Sequence, residues 1–155
     1  MEIKIRKGYK EDLPAILGLI RELATFEKAT DEVEVSLEDL EEDGFGERPI
    51  FRFVVAETDE RIVGMALYYI KYSSWKGKCV FLEDIIVTES FRRYQIGKKL
   101  FSEVVKAAKQ MRVKRVEWQV LDWNAPAIRF YENYDTQFMK EWISCRLTEE
   151  QINSF

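Results

Sequence analysis

The 155-residue chain contains no histidine. That absence removes the commonest acid/base group of neutral pH and the commonest zinc ligand, and with them any Ser-His or Cys-His mechanism. Proton transfer must fall to carboxylates, tyrosine, lysine or water, and no metal is expected. Cysteine is scarce: Cys79 and Cys145 are too few for a disulfide framework at this length, and both sit in apolar runs as small side chains expected to be buried. No apolar run approaches the length of a membrane span, and the N-terminal MEIKIRKGYKEDL lacks the apolar core of a signal peptide. The expectation is no membrane partner and a cytoplasmic location. A net charge of −4 and a pI near 5.1 argue against nucleic acid as a partner, since its phosphates need a basic face.

What is present fits an ordinary globular chain: 46% hydrophobic and 34% charged residues, enough to bury one core. Without repeats or a linker, residues 1–155 are read as a single domain. Ile3 and Ile5 alternate with Lys4 and Arg6 as a short strand. Asp12 and Pro14 open a helix whose apolar face runs from Leu13 to Phe26. Ser36 and Asp39 form a capping-box pattern for a short helix ending at Gly44. The excess of carboxylates between Glu27 and Glu47 is either a solvated face or an acidic rim for a cationic substrate.

Phe51 to Glu57, Ile62 to Tyr72 and Lys78 to Val87 read as three consecutive strands, joined by the polar turns Asp59-Glu60-Arg61 and Ser73 to Gly77. A helix from Ile96 to Met111 buries Leu100, Phe101, Val104, Val105 and Ala108. A strand over Val113–Val120, a helix over Pro126–Asn133 and a strand over Met139–Leu147 complete the order; Thr148-Glu149-Glu150-Gln151 offers a cap for one last turn, against the preferred reading of a frayed tail. The expected fold class is α/β: a central mixed sheet with helices on both faces.

The chemistry concentrates in Phe81–Lys98, FLEDIIVTESFRRYQIGK. An apolar strand carries Glu83 and Asp84, then Arg92-Arg93 leads through Gly97 into a helix N-terminus, the physical recipe for gripping a phosphate-bearing ligand. Strand alternation puts Glu83 with Ile85 and Val87 on one face, opposite Asp84 and Ile86. In that apolar company Glu83 is expected to be desolvated, with its pKa raised toward that of a useful base.

The phrases LIRELATFEKA, LEEDGFGERP, MALYYIKYSSWKGK, FLEDIIV and DWNAPAIRFYENY together resemble the GCN5-related N-acetyltransferases. Within that superfamily they are most similar to the spermidine/spermine and thialysine acetyltransferase group. The resemblance implies the acyl-CoA N-acyltransferase fold, acetyl-CoA as co-substrate and a homodimer. It implies that Ile85, Ile86 and Val87 pair their backbone with the pantetheine arm. The loop Arg92, Arg93, Tyr94, Gln95, Ile96, Gly97 and Lys98 would wrap the pyrophosphate, with Asn124 and Tyr131 near the pantetheine and thioester.

Two positions depart from the family pattern. Gln95 stands where a glycine is usual, so either its side chain points away from the phosphates or affinity falls. Tyr134-Asp135 replaces a Leu-Gly-type turn, a change aspartate absorbs because it tolerates left-handed backbone angles.

Carried onto these residues, the family's chemistry makes Glu83 the base and Tyr131 the acid for the leaving thiolate. A small cationic amine is expected to meet Phe26, Glu27, Trp75, Glu83, Asp84, Glu117, Trp118, Gln119 and Glu141. Trp75 and Trp118 read equally well as packing residues, and Asp84 as a dimer contact. Polyamine enzymes of the group carry an aspartate where Ser73 stands here, which leaves thialysine-like or other small amines open. The rival readings are a non-catalytic acyl-CoA or protein-binding module, and an acetyltransferase for protein lysines or N-termini.

Overall fold

The computed structural model describes residues 1–59 and 61–155; Glu60, the centre of the expected polar turn, lies outside the described residues. The chain forms two compact units, Met1–Gln119 and Val120–Phe155.

The first unit is built on a five-stranded sheet in the order β1-β2-β3-β4-β5. β1 (Lys4–Lys7), β2 (Arg52–Glu57), β3 (Ile62–Ser73) and β4 (Gly77–Val87) pair antiparallel, and β5 (Val116–Glu117) joins β4 in parallel. Side-chain alternation divides the core between two faces. On one face Phe53, Val55, Met65, Leu67 and Ile86 pack with Leu13, Ile16, Leu17 and Leu19 of α1 (Leu13–Phe26) and with Leu40 of α2 (Leu37–Phe45). On the other lies α3 (Ile96–Gln110), which buries Ile96, Leu100, Phe101, Val104 and Ala108. Its close approach depends on Gly64, where a Cβ would stand 2.9 Å from the Ile86 carbonyl and 3.2 Å from Leu100 Cδ1. Val105, expected in the buried face of α3, is 40% exposed instead.

Local chemistry sets the helix boundaries. Ser36 accepts from the Asp39 N–H while the Asp39 carboxylate accepts from the Ser36 N–H, the expected reciprocal cap, and α2 runs past Gly44 to close at Gly46. The entry to α1 is fixed by an ion triad. Arg6 donates to both oxygens of Asp12 at 2.7 and 3.0 Å and to Glu57 at 2.9 and 3.1 Å, and the Tyr9 N–H donates to Asp12 at 2.7 Å.

The strand expected over Val113–Val120 contracts to Val116–Glu117, because β5 follows β4 only opposite Val80 and Phe81. Beyond Phe81, β4 has a partner strand on its β3 side alone among the described residues.

In the second unit, α4 (Ala125–Glu132) starts at Asn124, whose side-chain oxygen accepts from the Ala127 N–H at 3.3 Å. The turn after it contains Asp135 at φ 54, the left-handed angle expected there. The strand expected over Met139–Leu147 is not formed. Met139, Trp142, Ile143 and Leu147 are exposed and the segment has no ladder among the described residues, since alternation supplies a face but not a partner. Cys145 is exposed with it, contrary to the buried reading, whereas Cys79 is buried. The tail is ordered into α5 (Glu149–Asn153), capped reciprocally by Thr148 and Gln151.

Candidate active site

Between Leu82 and Asp84 the β3–β4 register slips: Tyr68 faces Leu82 and Leu67 faces Asp84, leaving Glu83 as the extra residue of a β-bulge. Strict alternation placed Glu83 in an apolar face, and the bulge overturns that placement. Glu83 is exposed, and its Oε2 accepts from the Tyr69 hydroxyl at 3.2 Å. Tyr69 is two residues along β3 from the core residue Leu67, so this bond brings Glu83 to the α1 side of the sheet, the side of Asp84.

The desolvated carboxylate is Asp84. Burial, and then the charges of Glu83 and Glu27, push its carboxyl up to about 6. Glu27, just past the end of α1, is itself raised by burial. Three carboxylates therefore gather where α1 ends over the bulge. Tyr69, which the sequence reading passed over, is stacked on Phe81 with ring centroids 5.4 Å apart. Burial, then the charge and hydrogen bond of Glu83, then Asp84, push its phenol up to about 12. Its position two residues from Leu67 was legible; the bulge that makes Glu83 its partner was not.

At the other end of β4, a 3-10 turn (Glu89–Phe91) leads into the basic loop. Glu22 of α1 accepts from the Thr88 hydroxyl and the Glu89 N–H, both at 3.2 Å. Arg92 Nε donates to the Val87 carbonyl at 3.1 Å, and its guanidinium lies 5.3 Å from the centre of the Phe26 ring. The loop turns through two left-handed residues, Arg93 at φ 76 and Gln95 at φ 58. Gln95 thus occupies the conformation a glycine adopts without strain. It borders a hollow with Ile5, Lys98, Lys99 and Ser102, whereas Glu89, Ser90, Arg92, Arg93 and Tyr94 line a separate one.

α3 begins at Gln95 with no side-chain cap and no acidic residue in its first turn, leaving N–H groups for an anion. A Cβ built at Gly97 meets nothing within 4 Å, so open space surrounds that backbone. Ile96 is buried and anchors the turn, while Tyr94 and Lys98 are exposed.

The remaining candidates divide by environment. Trp75 is 78% exposed at the tip of the β3–β4 hairpin, so packing does not explain it. Ser73 closes that tip, its Oγ accepting from the Trp75 and Lys76 N–H groups. Glu117 is engaged by Lys71 at 2.8 Å and Arg115 at 3.4 Å. Trp118 is half-buried with its ring edge-on to Phe101 at 5.3 Å, a packing role, and Gln119 is exposed. In the second unit, Tyr131 is buried, edge-on to Phe130 at 5.3 Å, and its carbonyl accepts from Thr136 at 2.7 Å. Asn124 caps α4 and Glu141 is exposed.

Residues 14–135 match the model of the acetyltransferase (GNAT) family. The thialysine N-epsilon-acetyltransferase of Mus musculus is 38% identical over 96% of this chain and 94% of its own length. The spermidine/spermine N(1)-acetyltransferase-like protein 1 of Homo sapiens is 32% identical over 96% of this chain and 23% of that longer protein. A solved aminoglycoside N-acetyltransferase in complex with CoA shares the fold at a TM-score of 0.74, with 22% identity over 94% of this chain and 95% of that one.

Proposed function

The chain belongs to the acetyltransferase (GNAT) family and is an N-acetyltransferase, and from that premise we propose that it moves the acetyl group of acetyl-CoA to a primary amine of a small cationic substrate by direct attack. Residues 1–155 are read as one such domain, because the family match crosses both compact units. The observation that carries the reading is the layout of β4. The β4 edge that has no partner strand beyond Phe81 among the described residues has carboxylates at its bulge and an uncapped, acid-free helix N-terminus following it.

Each part of that layout suits one part of the reaction. The backbone of Ile85, Ile86 and Val87 offers donors and acceptors along which a pantetheine amide can lie. The N–H groups and cations of the loop from Arg92 to Lys98 suit a pyrophosphate. Phe26, Glu27, Asp84 and exposed Trp75 offer charge and aromatic faces to an alkyl-ammonium chain.

In the reaction, Glu83 takes a proton from the ammonium, directly or through water, and the freed amine attacks the thioester carbonyl. The C–N bond forms, the attacking nitrogen loses its second proton to solvent, the C–S bond breaks, and Tyr131 gives its hydroxyl proton to the departing thiolate and recovers one from solvent. Ser73 is committed to its own turn and is no anionic partner for a polyamine. This favours an amino acid with a side-chain amine, the acceptor class in the mouse relative's name, over spermidine. Two copies are expected to form a homodimer, which light scattering measures.

Thiol release from acetyl-CoA, measured over thialysine, ornithine, spermidine and a lysine-containing peptide, tests the assignment. Turnover is expected with the small amines and not with the peptide. Glu83→Gln is expected to lower kcat about 100-fold, and Tyr131→Phe about tenfold. Acetyl-CoA binding by calorimetry with no release for any acceptor overturns the enzymatic reading in favour of an acyl-CoA-binding module.

A further inference from the structure

We propose that Tyr69 is a positioning residue for this reaction, its hydroxyl holding the Glu83 carboxylate in the orientation from which it takes the amine proton. The inference rests on the reading of Glu83 as the base. Glu83 is the unpaired residue of the bulge and is exposed, so packing does little to restrain its rotamers. An unrestrained glutamate samples many orientations, and a base is effective only within hydrogen-bond reach of its proton. The Tyr69 hydroxyl, donating to Oε2 at 3.2 Å, supplies the missing restraint and leaves Oε1 to accept from the substrate.

Tyr69 can impose an orientation because its own ring is held. It sits opposite Phe81 in the β3–β4 ladder and stacks on it at 5.4 Å with 32° between the ring planes. On the same Phe81 ring rests the Lys71 ammonium, 5.5 Å from the centroid, and Lys71 is fixed by Glu117 at 2.8 Å. The bulge strand, its aromatic neighbour and β5 thus form one braced row ending at the Tyr69 hydroxyl. Burial, then the charge and hydrogen bond of Glu83, keeps that phenol protonated throughout the neutral range, so it remains a donor while the enzyme turns over. A tyrosine serving only to pack needs its ring and not its hydroxyl.

Tyr69→Phe separates the two roles, since phenylalanine keeps the stack and loses the donor. Steady-state kinetics at saturating acetyl-CoA are compared for wild type, Tyr69→Phe, Glu83→Gln and the double variant, with thermal unfolding of each. Tyr69→Phe is expected to lower kcat about tenfold, leave the KM for the amine within about twofold and keep Tm close to wild type. Added to Glu83→Gln, it is expected to cost nothing further, because the group it positions is gone. An equal loss in both backgrounds assigns the effect to general structure and overturns the inference. A slow Glu83→Gln beside an unimpaired Tyr69→Phe overturns it while leaving Glu83 as the base. A Glu83→Gln enzyme as fast as wild type removes the assignment of Glu83 and this inference with it.

Discussion

Asp84 lies half-buried opposite Leu67 with Glu83 and Glu27 close enough for their charges to act on it, and its carboxyl is pushed up to about 6. A carboxyl raised in the folded state is a stability penalty whenever it is ionised. The penalty is absent below the unfolded value near 4 and fully present above about 6. Asp84→Asn is therefore expected to raise stability at pH 7 by about 3 kcal/mol, with the gain fading as pH falls toward 4. The same change removes a proposed charge partner of the amine, so KM for the amine is expected to rise while unfolding in urea shifts to higher concentration, a trade of stability for function. A variant no more stable than wild type at pH 7 refutes the account of the buried charge. The pair Glu83-Asp84 stood out in the sequence as the candidate chemical centre. Which of the two is desolvated was not, because period-two alternation assumes an unbroken ladder and the slip between Leu67 and Tyr68 breaks it.

Among the elements, those bounded by their own local chemistry were readable. α1 opens at its proline, α2 at the Ser36–Asp39 box, and α3 follows its apolar period. Gln95 in a left-handed turn shows why a glycine is common there and why a polar residue is still accommodated. The elements that depend on a distant partner were misjudged. β5 is two residues long because β4 offers it only Val80 and Phe81, and the exposed run from Met139 to Leu147 finds no ladder among the described residues. The join between β1 and α1 also depends on distant groups, and it carries a prediction. Hydrogen bonds from Arg6 chiefly, and from the Tyr9 N–H, hold the Asp12 carboxyl below its ordinary value against the opposing effect of burial. A lowered carboxyl contributes stability that is fully present above pH 4 and lost as pH falls through the depressed value. Asp12→Asn is expected to cost about 2–3 kcal/mol at pH 7 by leaving Arg6 half-satisfied. In urea titrations the gap between wild type and variant should close on acidification below about pH 4; a gap independent of pH would assign the loss to packing instead.

For the molecule as a whole, the arrangement of charge matters more than its sum. The net −4 conceals a separation: ten carboxylates stand against one lysine between residues 27 and 47, while Arg92, Arg93, Lys98 and Lys99 cluster around the start of α3. If the acidic segment steers a cationic amine, the encounter is electrostatic and screened by salt, with a Debye length of roughly 10 Å at 0.1 M. Raising ionic strength from about 0.02 to 0.2 M is then expected to lower kcat/KM for a dicationic amine several-fold while kcat at saturation stays nearly constant. Glu34, Asp43 and Glu47 are exposed and lie outside the first turn of α2, so reversing them to lysine changes the field without removing a helix signal. The triple reversal should flatten the salt dependence for a dication and affect a monocation less, because the steering energy scales with ligand charge. Helicity and Tm close to wild type would show that the fold is intact. Identical salt slopes for wild type and the reversed variant would make residues 31–47 a solvated face and confine recognition of the amine to Glu27, Glu83 and Asp84. The two readings of the acidic segment, inseparable in the sequence because composition carries no direction, are distinguished by that slope.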